Sequence, residues 1–247
     1  MVENSDSEDL AREDDGGYPH DWTSNVVYLN NAGEAQLSPQ VQEVGRKVIS
    51  EPPWKISSTN NNNNILDSQR ERIRQLFASL INAKSSKDIA FMPSTAFAIT
   101  FAARNIQRCC LVGQGRGGKI LVLEDQMCSA VYPWQQICAE SKCSVELKII
   151  NYPADNGGWT EAVLNQMDDD VLVVCLPPLH WSSGSLIDLE AIGSACRRHG
   201  SIFIVDATQG EYYCSCCCCF FSLLESFEKK RKSTNSFPSA VMLTSTF

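Results

Sequence analysis

The feature that most constrains this chain is a set of short apolar runs that each end abruptly on polar or small residues. Val171-Leu-Val-Val-Cys175 and Ser201-Ile-Phe-Ile-Val-Asp206 are the clearest. Runs of four or five apolar residues rich in Val and Ile read as strands buried on both faces, which is the signature of a parallel sheet. Asp206 therefore sits where such a strand leaves the core, followed by Ala207-Thr208-Gln209-Gly210. Crevices at the carboxyl ends of parallel strands are where α/β proteins bind ligands, and a carboxylate there can meet a cation or a ring nitrogen. Gln209 can reach the same ligand with an amide.

The remaining segments supply the helices that such a sheet needs. Ser38-Pro39 gives an N-cap and a first-turn proline for a helix from about Gln40 to Ser50, stopped by Pro52-Pro53. Ile65 to Ala83 carries apolar residues at helical spacing. A brief strand, Ile89 to Met92, leads through Pro93-Ser94-Thr95 to a helix from Ala96 to about Gln107. Then come a strand at Lys119 to Glu124, a helix at Tyr132 to Ala139, a strand at Val145 to Ile150 and a short helix from Thr160 to about Met167. A helix from about Asp188 to His199 carries Arg197-Arg198-His199 in its last turn and Gly200 beyond it. Strands and helices alternating with short connections predict βαβ units: a three-layer α/β/α fold with a mostly parallel sheet.

Composition bounds the function. The formal charge of −8 over 247 residues comes almost entirely from the first 21, which hold eight acids and one base; the rest balances 21 acids against 20 bases. Residues 1–21 are too polar to bury apolar surface and are expected to be disordered. The body offers no footprint for nucleic acid or an anionic membrane surface, and no run approaches the roughly 18 apolar residues of a membrane span. Of the twelve cysteines, five crowd into 214–219, and the other seven are scattered through apolar segments, as in a reduced compartment. A cytoplasmic location is the expectation.

Several motifs compete for the chemistry. Gly113-Gln-Gly-Arg-Gly-Gly118-Lys119 resembles a phosphate-binding P-loop, but Ile120 replaces the metal-holding hydroxyl and the run enters a strand where a P-loop opens a helix; a tight turn is the reading. Ser94, Thr95 and Ala96 lie between a strand and a helix, where hydroxyls and unpaired backbone amides make an anion site, or where Ser94 or Thr95 simply caps the helix. Pro177-Pro-Leu-His180-Trp181-Ser-Ser-Gly184 follows another strand end and offers an imidazole, an indole and hydroxyls, although His180 and Trp181 can equally cover the core. Three strand ends thus present polar groups to one crevice. The cluster Cys214-Ser-Cys-Cys-Cys-Cys219 lacks the two-residue gaps of a tetrahedral zinc site, so a metal-binding role is the remotest reading.

Taken together, these residues resemble the class V aminotransferase family of pyridoxal phosphate enzymes, which includes cysteine desulfurases, selenocysteine lyases and kynureninase. The likeness runs from about Tyr28 to Gly210. Tyr28-Leu-Asn30-Asn31-Ala32-Gly33 looks like the family's opening turn, which places Asn31 and Ala32 near the substrate. Ser94-Thr95-Ala96 matches the phosphate-binding turn. The segment from Glu124 to Trp134 is similar to the one whose ring stacks on the cofactor, with Met127 at the stacking position. The loop from Leu179 to Gly184 falls where a polar side chain approaches the cofactor ring or substrate, giving roles to His180 toward substrate and Trp181 toward cofactor. Val205-Asp206-Ala207-Thr208-Gln209 matches the "DATQ" motif. The resemblance implies pyridoxal 5′-phosphate as cofactor, with Asp206 pairing with the pyridine nitrogen, Gln209 hydrogen-bonding the phenolic oxygen, and Ser94, Thr95 and the amide of Ala96 holding the phosphate. It implies an amino-acid substrate bound through an external aldimine, and homodimeric full-length relatives.

The departures shape the remaining expectations. Trp181 stands where desulfurases place an asparagine. After Gly210 the family continues through two strands to a Ser-Gly-His-Lys type motif whose lysine forms the Schiff base, and no such motif occurs here; Lys232 lies in a basic run, Glu228-Lys-Lys-Arg-Lys232, with no strand before it. The chain is expected to be a partial large domain over residues 22–210 with an aberrant tail at 211–247, incomplete and inactive alone. A non-catalytic truncated product that binds the cofactor weakly or not at all is the alternative. Since the family's first strand pairs with its seventh, Ile89 to Met92 is expected to lack a neighbour and the Asp206 strand to form an apolar edge, against which residues 220–224 or 240–243 are apolar enough to pair.

Overall fold

The computed structural model describes residues 37–52, 65–107, 117–141, 144–153, 158–210 and 241–244. Asn31 and Ala32, the start of the glycine run at 113–116, the cysteine cluster at 214–219 and Lys232 lie outside them. The chain divides into two units, residues 1–66 and 67–247. In the first, α1 (Pro39–Ser50) is capped as its sequence requires: the Ser38 hydroxyl accepts the Val41 amide and Pro39 opens the helix. No residue of α1 is buried.

The second unit carries the sheet. A helix α2 (Ile65–Leu80), which begins at the unit boundary, leads through a 3₁₀ turn at Ser86–Asp88 to β1 (Ile89–Met92) and α3 (Thr95–Ile106). Then follow β2 (Gly118–Leu123), α4 (Cys128–Glu140), β3 (Val145–Ile150), α5 (Gly158–Leu164), β4 (Val171–Leu176), α6 (Leu189–His199), β5 (Ile202–Val205) and β6 (Val241–Thr244). Four strands form one all-parallel sheet in the order β3-β2-β4-β5. α4 starts four residues before the sequence expectation, so that Pro133 falls inside the helix and leaves one backbone carbonyl without its amide donor. α6 ends where expected: Gly200 takes the left-handed conformation (φ 69°) that a side chain would strain.

Alternation along the strands sorts the core into two layers. Ile120, Val122, Val173 and Cys175 face one side, packing with Ile99 and Ala103 of α3 and with Val131, Trp134 and Ile137 of α4. Leu121, Leu123, Val174 and Leu176 face the other, packing with Trp159 and Val163 of α5, Leu189, Ile192 and Cys196 of α6, and Phe203. Because side chains of a strand alternate between faces, this partition is what a three-layer α/β/α fold requires.

One expectation needs correction. β1 has a partner: it pairs in parallel with β6, Ile89 opposite Val241 through Met92 opposite Thr244. The segment at 240–243 therefore serves β1 and not the exposed edge of β5, and the amides and carbonyls of β1 gain partners they would otherwise lack. β5 is the edge of the four-stranded sheet among the described residues, as expected.

Candidate active site

Four strands deliver their carboxyl ends to one cavity of about 260 Å³. The turn after β1 contributes Ser94, Thr95 and Ala96. The turn after β2 contributes Gln126, Met127 and Ser129. The segment after β4 contributes Pro177, Leu179 and Trp181, and β5 ends in Asp206, Thr208 and Gln209. All seven residues that the sequence assigns to the cofactor line this one space.

Each wall is set by local rules. Ser94 is extended (φ −164°, ψ 162°) and its hydroxyl accepts the Phe97 amide at 3.2 Å, so it caps α3 while its helix end faces the cavity. The first-turn amides of a helix have no intrahelical acceptor, and with the helix dipole they favour an anion. The capping and anion-binding readings of this turn are thus compatible in one geometry. On the opposite wall the Asp206 amide donates to the Leu176 carbonyl at 3.0 Å, continuing the β4–β5 ladder one residue past the strand. Asp206 Oδ1 accepts both the amide (3.2 Å) and the hydroxyl (2.6 Å) of Thr208. Gly210 closes this turn against Pro178, where a Cβ would run into the proline ring.

The third wall is built by a turn held from behind. Asp125 has φ 53°, uncommon for a residue with a side chain, and its carbonyl accepts the Trp181 indole N–H at 2.5 Å. Trp181 is thereby fixed at the cavity although 54% exposed, and Met127 stands beside it at 45%. Gln126 braces the two central strand ends: its Oε1 accepts the Leu123 amide at 2.9 Å and its Nε2 donates to the Cys175 carbonyl at 3.1 Å. Directly behind that carbonyl, burial pushes the Cys175 thiol up to about 12, with the charge of Asp206 adding to the shift. This thiol is inert as a nucleophile at neutral pH.

His180 takes a different place from its sequence assignment. It is fully buried and absent from the cavity lining. Its Nε2 donates to the Glu124 carbonyl at 2.9 Å, Nδ1 lies 3.3 Å from the hydroxyls of Ser182 and Ser183, and the ring stacks on Trp159 at 4.9 Å. An imidazole satisfied at both nitrogens and stacked on an indole holds the loop that presents Trp181. Sequence reading missed Gln126 and Thr208, both polar residues three positions past a strand end. That position, where a side chain can turn back to bond the strand's own end, is the signal that finds them.

The aminotransferase class-V family matches residues 27–212, about three quarters of the chain. The chain belongs to the class-V aminotransferase family. A cysteine desulfurase of Klebsiella pneumoniae is 24% identical over 139 residues, 56% of this chain and 33% of its own length. Against solved structures, the cysteine desulfurase CsdA of Escherichia coli superposes with a TM-score of 0.58 at 18% identity, over 73% of this chain and 44% of that one. A variant of C-DES with glycine covalently linked to its PLP cofactor gives 0.58 at 18% identity, over 76% and 48%. The fold is the one these solved structures share, and pyridoxal phosphate is the cofactor of the family. The chain spans about a third of the length of the curated relatives it matches. No helix among the described residues is long and apolar enough to cross a membrane, and no group of His, Cys, Asp and Glu among them is placed to hold a metal.

Proposed function

We propose that this chain binds pyridoxal 5′-phosphate in the cavity at the strand ends and serves an enzyme that acts on an amino-acid substrate. One observation carries the reading: residues from four separate strand ends, 115 positions apart between Ser94 and Gln209, line a single cavity with an anion-favouring helix end on one side and a carboxylate on the other. A doubly charged phosphate joined to a basic aromatic nitrogen matches that separation of charge. When bound, the cofactor supplies an electron sink for charge developing beside the substrate nitrogen.

The residues divide the work of holding it. Ser94, Thr95 and the Ala96 amide bind the phosphate. Asp206, with no hydrogen bond to Oδ2 among the described residues, meets the ring nitrogen and keeps its proton. Gln209 donates its amide to the phenolic oxygen. Met127 and Trp181 flank the ring plane and exclude water. In this reading the site belongs to a large domain over residues 22–210 of a cytoplasmic protein whose full-length relatives pair as dimers. No lysine lines the cavity among the described residues.

Equilibrium dialysis tests this. The full chain is expected to retain pyridoxal phosphate and its aldehyde-free analogue 4′-deoxypyridoxine 5′-phosphate. Asp206→Ala is expected to weaken both by about tenfold or more, the scale of a lost charge-assisted hydrogen bond. A chain that retains neither ligand, or an Asp206→Ala variant that binds as the parent does, overturns the reading.

A further inference from the structure

The hydroxyl of Thr208 is 2.6 Å from Asp206 Oδ1 and 3.2 Å from the hydroxyl of Thr95. Thr95 opens α3 beside β1, whereas Thr208 and Asp206 follow β5. These two strands belong to different sheets. A threonine hydroxyl carries one proton and two acceptor sites, and an ionised carboxylate only accepts. The short distance to Asp206 is that of a charge-assisted O–H···O⁻ bond. The Thr208 proton is therefore committed to the carboxylate, so its oxygen accepts at the other contact and Thr95 donates. The result is a directed chain: Thr95 O–H to Thr208 O–H to Asp206.

From this geometry we infer that Thr208 is a positioning residue that couples the phosphate end of the cofactor site to its ring-nitrogen end. The inference rests on the proposed pyridoxal phosphate reading and adds a role to a residue that touches neither reacting bond. Thr208 occupies Oδ1 of Asp206 twice, through its amide and its hydroxyl, which sets the carboxylate's rotation and leaves Oδ2 as the oxygen for the ring nitrogen. Through Thr95 it also sets the spacing between the first turn of α3 and the end of β5. A ligand that spans both ends, phosphate to ring nitrogen, reads that spacing directly. The hydroxyl of Thr95 then fixes the turn, and Thr95 meets the phosphate through its first-turn amide, beside the Ser94 hydroxyl and the Ala96 amide.

A double-mutant cycle on the full chain tests the coupling, with 4′-deoxypyridoxine 5′-phosphate as probe and affinity as readout. Thr208→Val keeps the side-chain shape and removes the hydroxyl; it is expected to weaken binding about tenfold. Thr208→Ser restores the hydroxyl and is expected to bind within about twofold of the parent. Thr95→Val is expected to weaken the parent several-fold but to cost nothing further once Thr208 is Val, because the same chain is already broken. Circular dichroism of each variant confirms the fold. Additive effects, Thr208→Val binding as the parent does, or a Thr208→Ser variant no better than Thr208→Val, each overturns the role of Thr208 while leaving cofactor binding intact. A parent chain that does not bind the probe at all overturns the cofactor reading and the coupling with it.

Discussion

The two halves of the cavity are supported very differently. Asp206 stands at the end of β5, which pairs with β4 in a four-stranded sheet whose central strands are buried on both faces. Ser94 and Thr95 stand at the end of β1, which belongs to a two-stranded pair with β6 and contributes Ile89 to a small cluster with Ala78. Phe91 of β1 is 41% exposed. The Ser94–Thr95 side thus relies less on its strand than on its helix: Ile99, Ala103 and Ile106 of α3 pack into the same cluster as the inner face of α4 and the sheet. A ligand site can be assembled from one wall fixed by a sheet and another fixed by the helix that follows its strand. Where the second arrangement holds, side-chain links between the walls carry more of the alignment.

The largest effect that would sharpen this contrast comes from the sheet itself. Leu121→Ala empties a fully buried site in a central strand, and a stability loss of about 4 kcal/mol is expected in denaturant unfolding. Ile89→Ala, also buried but in the small cluster at β1, is expected to cost about 2 kcal/mol, near the low end for such truncations. Equal losses would show that β1 is as firmly integrated as β2 and would remove the contrast.

Gln126→Ala comes next. It strips the Leu123 amide and the Cys175 carbonyl of side-chain partners, and about 1–2 kcal/mol is expected to be lost, with a fall in cofactor affinity from misaligned strand ends. Thermal melts and dialysis on one preparation check both. A variant with unchanged melting and affinity would mean that the ladder alone aligns these ends.

The smallest effect lies between α3 and α4, where the attachment of the Ser94–Thr95 wall can be read through pH. Arg104 donates to both carboxylate oxygens of Glu140, with Gln136 and Gln107 adding donors. These hydrogen bonds, the one from Arg104 foremost, lower the Glu140 carboxyl to about 2. Because the folded value lies below the unfolded one, the stabilisation is fully present above about 4.5 and fades as pH falls toward 2. Glu140→Gln is expected to be slightly less stable than the parent at neutral pH and to converge with it on acidification. The pair is exposed, so the difference is small. A gap that persists unchanged at low pH would assign the effect to something other than the ion pair.

How much of this was legible beforehand follows from which physics is local. The runs at 171–175 and 202–205 identified themselves as strands by unbroken apolarity; β4 is buried at all but Leu172, whereas in β5, at the edge of the sheet, only Phe203 is buried. Ser38, Asp188 and Gly200 marked helix ends through capping that depends on two or three residues. The cavity residues were legible through the resemblance and through the rule that strand ends collect ligands. His180 is open in sequence to both a ligand-facing and a core-covering place, because an imidazole has the same signature whether it faces a ligand or bonds a buried carbonyl, and packing against Trp159 gives it the second place. The pairing of β6 with β1 was missed for a related reason: a four-residue apolar strand carries no register of its own, and the partner is chosen by which edge is left unpaired in three dimensions. Thr208 belongs to a recognisable motif, but its contact with Thr95, 113 residues away, has no trace in local sequence.

In the proposed reading, one cavity joins an anion-favouring helix end to a carboxylate that accepts a hydrogen bond from the ring nitrogen and so keeps it protonated. The most direct test of that reading is the ¹⁵N resonance of ring-labelled pyridoxal phosphate bound to the full chain, recorded at a pH where the free ring nitrogen is deprotonated. The account predicts a protonated pyridinium nitrogen in the parent chain that loses its proton in Asp206→Ala. A bound cofactor with an unprotonated nitrogen in the parent, or one whose protonation ignores Asp206, would contradict it.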